Sequence, residues 1–438
     1  MPESSHEPGM QVSINLQELV RGEYLTSQEW WCNLLVWTLA IVLQRSCTAL
    51  LFAVSSRRSC LALRSVAAGT LVASAALLIA IGGSYPGELL YIMLGLVYFT
   101  GVALAAHWLA TQSRALQLTP AAVFALAAFL TVLLPCLFAR AGEANVIRLF
   151  GFELMLSIYS YVVDRTRATN QSSRADALFF LLVNPVLVLS ERGTQFGEPR
   201  FRFAAAARIV AGAATIAGAV VVGQSYLVLD SEVRTQPLWV ALVAANNIVA
   251  LSMLHSGAAS VQIGWMAMLG WRVPERYDWA ILARSPLEFW QRWNTYLGAW
   301  LRSYVFMPIA MRWRRQNPRA PRPAMQSATI LATFGACGLL HDFGNYPATF
   351  ELSVSWTVAF ILAGWAVILW LAASAAARSL QKRWGLGAMS GLGYAVPIVG
   401  VALTFLHVLM MAWVLRSPIA GRMNPVLSST LGLDGLSL

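Results

Sequence analysis

Long apolar runs dominate this sequence. They recur from Trp30 to the end of the chain, and each matches the roughly 20 residues that cross a bilayer as a helix. Of the 438 residues, 58% are hydrophobic and 12% are charged, whereas a soluble domain carries about 25% charged residues. The sequence therefore predicts an all-α, polytopic integral membrane protein. It excludes a cytosolic enzyme and a membrane-anchored soluble domain.

The apolar runs predict about nine to eleven transmembrane helices around a central chamber. Residues 1–29 are expected to form a polar N-terminal tail without a cleaved signal peptide, and 30–438 to form a single membrane domain. The expected spans lie near 31–56, 61–83, 87–110, 120–139, 145–163, 205–228, 237–270, 286–310, 326–345, 352–376 and 391–415.

Two apolar stretches do not fit a simple crossing. The stretch 237–270 is too long for one span, and 176–190 is too short and is interrupted by Pro185. We expect tilted or re-entrant segments at both places. Non-helical backbone at membrane depth must be buried in protein or line a wet cavity, so both stretches indicate an internal chamber.

The formal net charge is +11, and Lys382 is the only lysine, which is typical of a GC-rich bacterial genome. Arg and Lys collect in the cytoplasmic loops of polytopic proteins, so we place the basic loops in the cytoplasm and the chain in a bacterial cytoplasmic membrane. We expect contacts with anionic membrane lipids and no nucleic-acid partner. The basic loops contain Arg57, Arg58 and Arg64; Arg114; Arg165, Arg167, Arg174, Arg192, Arg200 and Arg202; Arg272, Arg276 and Arg284; Arg312, Arg314, Arg315, Arg319 and Arg322; and Arg378, Lys382 and Arg383.

Neither a metal nor a bound cofactor is expected. The five cysteines show no CxxC spacing, so the sequence suggests no zinc site and no disulfide framework. The glycine-rich piece 385–393 lacks the GK[ST] of a phosphate-binding loop.

The segment 285–308 is the most informative part of the sequence. Ser285 is a suitable N-cap, Pro286 suits the first helical turn, and Glu288 and Arg292 form a favourable i,i+4 pair. On the pattern alone, an amphipathic helix at the membrane interface is the simpler interpretation. A continuous helix would place Trp290, Trp293, Leu297, Trp300 and Tyr304 on one stripe, and Gln291, Asn294, Gly298 and Arg302 on the neighbouring stripe.

An ionisable residue inside a predicted span is a candidate functional residue, and His341 is such a residue. It follows Ser327 by 14 residues, which places it roughly 21 Å along the helix and past the bilayer midplane. A donor from the cytosol could there meet an acceptor from the opposite side. Asp342 cannot form a catalytic dyad with His341, because adjacent helical residues point about 100° apart. We expect Asp342 to cap a helix, bind water or contact the acceptor.

The other intramembrane polar residues are expected to be structural. His107 and His255 are predicted to form polar bridges between helices, and His407 to make a helix–helix contact. Asn246 and Asn247 are predicted to form interhelical hydrogen bonds, with a position lining the chamber as the alternative.

The segment 288–308 closely resembles the motif of the membrane-bound O-acyltransferase (MBOAT) family. The resemblance is strongest to the bacterial branch that includes the alginate O-acetylation and teichoic-acid D-alanylation proteins. The family also has a His in a later apolar helix, and His341 follows Asn294 by 47 residues. Weaker similarity extends the likeness to about 150–345. The matching residues are Phe289, Trp290, Arg292, Trp293, Trp300, Leu301, Arg302, Tyr304 and Pro308.

Three positions depart from the closest bacterial pattern. Asn294 stands where the polysaccharide acetylating members often have His, so this chain is similar to the Asn/His form of the family. Leu340 replaces a Trp before the family His, and Asp342 replaces a Gly after it. The reaction class implied by the resemblance is unaffected, while the acceptor stays open.

The resemblance implies O-acyl transfer, with His341 as the general base that takes the proton of an acceptor hydroxyl. The hydroxyl attacks the thioester of an acyl-CoA or an acyl carrier, and Asn294 binds the donor or holds the geometry. The acceptor is a glycan, a lipid or a small metabolite, and a separate carrier or acceptor-modifying protein is a possible partner. Substrate contacts are expected from Trp290, Gln291, Arg292, Trp293, Arg302, Tyr304 and Asp342.

Two alternatives remain open. Arg292, Arg302 and the cluster Arg312/Arg314/Arg315 could bind the phosphates of coenzyme A or a carrier, but the cluster is equally compatible with lipid phosphates. A transporter or flippase with a polar midplane site would also suit broken helices and intramembrane polar residues. Against transport, the two halves of the chain show no internal repeat.

Overall fold

The computed structural model is helical over most of the residues that it describes. We number the helices along this part of the chain. The described residues are 42–52, 54, 61–82, 86–116, 118–136, 151–167, 174–188, 195–196, 203–224, 237–319, 321–349, 354–383, 400, 404 and 406–408.

The helices are α1 (Val42–Phe52), α2 (Leu61–Gly82), α3 (Pro86–Leu116), α4 (Pro120–Ala128), α5 (Phe152–Arg167), α6 (Arg174–Leu182), α7 (Phe203–Gln224), α8 (Pro237–Met268), α9 (Pro286–Arg292), α10 (Thr295–Leu301), α11 (Met307–Gln316), α12 (Arg322–Thr349) and α13 (Ser355–Arg383). A π-helical turn at Phe129–Leu133 and the residues Leu134–Cys136 continue α4, and a second π-helical turn, Arg302–Phe306, joins α10 to α11.

Three helices in the described part of the chain are long and apolar enough to cross a membrane. Their apolar parts are Leu94–Gln112 in α3, Arg322–Gly344 in α12 and Ser355–Ala376 in α13. The prediction of an all-α, polytopic membrane protein is confirmed. The tail 1–29 and most of the predicted span 391–415 lie outside the described residues.

The two stretches that did not fit a simple span have different structures. The long stretch forms one unbroken helix, α8, of 32 residues, so it contains no re-entrant break. In the short stretch, α6 ends at Leu182 and the chain continues without helix from Val183 to Val188. Val183 and Val188 are buried, as irregular backbone in an apolar environment requires.

Small residues bring α7 and α8 into close contact. A Cβ atom added to Gly257 would lie 2.7 Å from the carbonyl oxygen of Gly212, so neither position has room for a side chain. Such small-residue contacts are a common way for membrane helices to pack. Asn246 donates from Nδ2 to the carbonyl oxygen of Val222 at 2.7 Å, which confirms its predicted interhelical role. The side chain of Asn247 lies outside the described residues.

Helix α5 lies at the centre of the core and packs against α3, α4 and α6. Its residues Leu154, Met155 and Tyr161 are almost fully buried. The Tyr161 hydroxyl lies 2.9 Å from Nδ1 of His107 on α3. His107 therefore forms the polar bridge between helices that the sequence predicts.

The loop between α8 and α9 begins with one strand of a two-stranded antiparallel ladder. It pairs β1 (Gln195–Phe196) with β2 (Trp271–Arg272). The Trp271 ring stacks on Phe179 of α6 at a centroid distance of 4.8 Å. This contact anchors the start of the loop, 271–285, against the core.

Candidate active site

The motif segment is not one helix. The Ser285 hydroxyl caps α9 by accepting a hydrogen bond from the Glu288 backbone N–H at 3.1 Å, and Glu288 pairs with Arg292, both as predicted. The helix then breaks, because Asn294 adopts the left-handed conformation with φ 43° and ψ 62°. The single span expected near 286–310 is therefore interrupted at Asn294.

The loop segment 274–278 stabilises this break. It runs beside 292–296 and exchanges hydrogen bonds with it, which offset the cost of about 1–2 kcal/mol for a left-handed residue. Asn tolerates this conformation better than most residues. The bonds run from Thr295 N to Arg276 O (2.9 Å), from Asp278 N to Arg292 O (3.0 Å), from the Tyr296 hydroxyl to Pro274 O (2.7 Å) and from the Thr295 hydroxyl to Glu275 O (2.5 Å).

Because the helix breaks, the aromatic residues of the motif do not form the single stripe of a continuous helix. They contact several different helices. Trp290 packs against Phe334 of α12 and Phe360 of α13, at centroid distances of 5.4 and 5.3 Å. Its indole Nε1 donates to Nε2 of His407 at 3.2 Å, which confirms the predicted helix–helix contact of that His.

Trp293 faces a different set of rings. It stacks on Phe289 at 5.5 Å and makes an edge contact with Tyr277 at 5.1 Å. His255 of α8 lies 6.2 Å from the Trp293 ring, and its Nδ1 lies 2.7 Å from its own helix at the Leu251 carbonyl. That hydrogen bond is internal to α8, so the polar bridge between helices that the sequence predicts for His255 is not formed by it; the His255 ring instead packs against the rings of Tyr277 and Trp293.

The last two aromatic residues of the motif bind α5. Trp300 donates from Nε1 to the Leu156 carbonyl oxygen at 3.1 Å, and the Tyr304 hydroxyl donates to Asp164 at 2.6 Å. Trp300 is only 3% exposed. Burial of this kind contradicts the alternative of an amphipathic helix lying at the membrane interface.

His341 lies on α12, half-buried beside two aromatic rings of α13. Its Nδ1 lies 2.8 Å from the carbonyl oxygen of Cys337, one helical turn earlier. A carbonyl oxygen can only accept, so Nδ1 carries the proton in the neutral ring and Nε2 carries the lone pair. This is the tautomer that a general base acting through Nε2 requires.

Phe360 connects His341 to the motif. Its ring lies 4.7 Å from the His341 ring and 5.3 Å from the Trp290 ring. The Trp356 ring lies 5.3 Å from the His341 ring. His341 and the first helix of the motif therefore share one aromatic cluster, which we define as Trp290, Phe334, Trp356 and Phe360.

Asp342 caps the next helix. Its carboxylate accepts hydrogen bonds from the backbone N–H groups of Trp356 and Thr357, at 3.0 and 2.9 Å. Of the three roles expected from the sequence, capping is the one that the structure shows. A role for Asp342 in binding substrate stays a prediction.

Asn294 is held from the side by a charged pair. Arg276 donates from Nε to the Asn294 side-chain oxygen at 3.2 Å and from Nη2 to Glu153 of α5 at 2.7 Å. Burial by itself lowers the pKa of Arg276, but the charge and hydrogen bond of the Glu153 carboxylate, together with Tyr277 and Tyr296, more than offset this effect, and the pKa lies above its ordinary value. The guanidinium is therefore always charged and can only donate.

The remaining residues that the sequence predicts to contact substrate include Gln291, Arg292 and Arg302. Gln291 and Arg302 are exposed, and Arg292 forms its ion pair with Glu288. No described geometry brings these three residues to His341. Their roles, like those of Trp290, Trp293 and Tyr304, stay predictions.

Sequence reasoning missed the pair of Glu153 and Arg276. Its place in a basic loop predicts a cytoplasmic surface charge for Arg276, whereas its side chain is only 18% exposed and is bound to α5. One signal was available, because Glu153 is an acidic residue inside the predicted span 145–163. Such residues are functional candidates by default.

Comparison with known proteins supports the family resemblance. A stretch of 79 residues is 30% identical to the probable alginate O-acetylase AlgI of Azotobacter vinelandii. A stretch of 54 residues is 35% identical to the proteins of the same name from Pseudomonas aeruginosa and Pseudomonas putida. The chain resembles the membrane-bound O-acyltransferases. No family model matches it.

The likeness to these acyltransferases is confined to short stretches. The Azotobacter match covers 18% of this chain and 15% of the relative. The two Pseudomonas matches each cover 12% of this chain, with 10% of the Pseudomonas aeruginosa protein and 11% of the Pseudomonas putida protein. The similarity points to an acyltransferase embedded in a membrane.

Proposed function

We propose that this protein is a membrane-bound O-acyltransferase that moves an acyl group from a thioester to a hydroxyl group. The observation that supports this most directly is the hydrogen bond from His341 Nδ1 to the Cys337 carbonyl. It fixes the tautomer and the ring orientation of a base inside a span, beside the aromatic cluster that also contains Trp290 of the motif.

In the proposed reaction, Nε2 of His341 takes the proton of the acceptor hydroxyl as its oxygen attacks the thioester carbonyl carbon. The tetrahedral intermediate then breaks its C–S bond. The leaving thiolate takes the proton from the imidazolium, so the base is restored and the products are an ester and a free thiol. General base catalysis of this kind contributes about 10²–10⁴-fold to the rate.

The proposed donor is an acyl-CoA, with an acyl-carrier thioester as the alternative. A cleft of about 420 Å³ on α11 supports a donor that carries phosphates. Arg312 and Arg315 line it, and neither forms an ion pair with a described residue. Arg binds phosphate oxygens through paired N–H groups. The other lining residues are Pro308, Met311 and Gln316.

The proposed acceptor is a hydroxyl of a glycan, a lipid or a small metabolite, and the proposed site of action is a bacterial cytoplasmic membrane. A separate carrier or acceptor-modifying protein would be a partner. The names of the AlgI relatives favour acetyl transfer to a polysaccharide among these possibilities.

The test uses cell membranes that contain the protein together with their native lipid and glycan acceptors, incubated with labelled acetyl-CoA and with longer acyl-CoAs. We expect release of free CoA together with label in a lipid or glycan fraction. The proposal would be contradicted if the protein consumed no thioester and moved a solute across the bilayer without any acyl donor. That result would favour the transporter.

A further inference from the structure

The side chain that holds Asn294 comes from outside the motif. Arg276 lies 18 residues before Asn294 and makes two hydrogen bonds at the break: its Nε donates to the Asn294 side-chain oxygen, and its carbonyl oxygen accepts from the N–H of Thr295. The guanidinium carbon also lies 5.6 Å from the ring centroid of Tyr296. Arg276 thus contacts three consecutive residues at the point where the helix breaks.

Arg276 is in turn anchored on α5. Its Nη2 donates to Glu153 at 2.7 Å, and the two side chains are only 18% and 32% exposed. The same helix accepts the hydrogen bonds of Trp300 and Tyr304. Three side-chain contacts therefore hold the motif to α5. They are made by Arg276, Trp300 and Tyr304, and only the one through Arg276 reaches Asn294.

This arrangement leaves the Asn294 amide nitrogen available. An arginine N–H can only donate, so its partner must be the amide oxygen of Asn294. The NH₂ group of Asn294 makes no hydrogen bond with any residue that the structure describes. Asn side chains commonly serve as donors to the oxyanion of acyl-transfer intermediates.

We propose that Arg276 is a positioning residue: it fixes the left-handed backbone and the amide orientation of Asn294, so that the amide N–H groups face the thioester oxygen, and Glu153 anchors Arg276. This inference rests on the proposed function. It assigns a role to two residues, Arg276 and Glu153, that belong to neither of the two sequence features carrying the family resemblance.

The geometry makes Arg276→Lys the decisive substitution. A lysine ammonium keeps the charge next to Glu153, but it has no second N–H group in a fixed fork that could reach Asn294 at the same time. The substitution therefore separates the ion pair from the positioning of the amide. Asn294→Gly is the matching partner, because glycine keeps the left-handed backbone without strain and removes only the amide.

The experiment measures thioester consumption and melting temperature for the wild type, Arg276→Lys, Asn294→Gly and the double variant. We expect Asn294→Gly to lower kcat on the order of 10²-fold, the usual cost of one oxyanion donor. Arg276→Lys should lower kcat about tenfold or more, as misplacement of a catalytic group does, at a nearly unchanged melting temperature. The double variant should be no slower than Asn294→Gly alone.

Arg208→Gln is the control. It breaks the exposed ion pair of Arg208 with Glu275, the residue next to Arg276, and we expect kcat and the melting temperature to stay close to those of the wild type.

An active wild type in which the effects of Arg276→Lys and Asn294→Gly multiply would overturn the inference and leave the proposed function intact. The same holds if Arg276→Lys lowers the melting temperature as much as it lowers the rate, since that is the signature of a merely structural pair. A wild type that consumes no thioester from any donor would overturn the proposed function, and this inference with it.

Discussion

The carboxylate of Asp342 accepts two hydrogen bonds from Thr357, one from its backbone N–H at 2.9 Å and one from its hydroxyl at 2.7 Å. With the bond from Trp356, both carboxylate oxygens are used to cap the N-terminus of α13. This cap places the aromatic residues at the start of α13 against His341. Asp342 therefore contributes to the site through the helix that it caps.

Asp342→Ala should lower the stability of the protein, because an N-cap side chain is worth about 1 kcal/mol and up to about 2 kcal/mol. Asp342→Asn keeps one acceptor oxygen and should lose less. The melting temperature in detergent measures both effects. An unchanged melting temperature together with a raised KM for the acceptor would show instead that Asp342 binds substrate.

The crossing of α12 and α13 gives a second prediction. A Cβ atom at Gly338 would lie 2.3 Å from the Cα of Thr357, which is a backbone clash. Gly338→Ala should therefore push the two helices apart and cost about 1–3 kcal/mol, the usual range for overpacking. The readout is the fraction of protein that is folded and monodisperse after extraction.

Gly335→Ala is the matched control for that clash. It lies one helical turn earlier, and its nearest neighbour, a side-chain atom of Ile361, is 3.8 Å from the added Cβ. We expect it to be neutral or slightly stabilising. Equal losses for the two variants would contradict the clash at the crossing, because alanine has the higher helix propensity at both positions and the added methyl group meets backbone only at Gly338.

The cleft on α11 predicts a difference between donors. If Arg312 and Arg315 bind the phosphates of CoA, the double substitution to Gln should raise KM for acetyl-CoA about tenfold or more, since hydrogen bonds to charged groups are worth roughly 1.5–3 kcal/mol. Acetyl-pantetheine has no phosphate, so its KM should not change. Arg319→Gln, outside the lining of the cleft, serves as the control.

A loss that is equal for acetyl-CoA and acetyl-pantetheine would contradict phosphate binding in the cleft. It would instead favour the alternative interpretation, in which Arg312 and Arg315 face lipid phosphates and support the fold.

The features that sequence could predict are local or periodic. The cap at Ser285 and the pair Glu288–Arg292 depend on spacings of three and four residues, which the sequence displays directly. The apolar length of α12 and α13 likewise follows from composition alone. His107 was predictable as a bridge because a polar side chain in an apolar span needs a partner.

The break at Asn294 was not predictable in this way. Helical periodicity continues through it, and the bonds that stabilise the left-handed residue come from 274–278, a loop with no regular pattern. The buried position of Arg276 was not predictable for a related reason. Counting charges by loop cannot detect that one of them folds inward to an acid 123 residues away in the sequence.

The central claim, that His341 is the base of an acyl transfer, is tested most directly by the rate of CoA release from acetyl-CoA in cell membranes that contain the protein and its native acceptors. His341→Ala is compared with Leu339→Ala, whose side chain on the same helix is 58% exposed on the outer surface of the protein. Both variants should insert and melt like the wild type. We predict that His341→Ala loses about 10²-fold or more of the rate and that Leu339→Ala loses almost none. A folded His341→Ala protein that releases CoA at the wild-type rate would contradict the account.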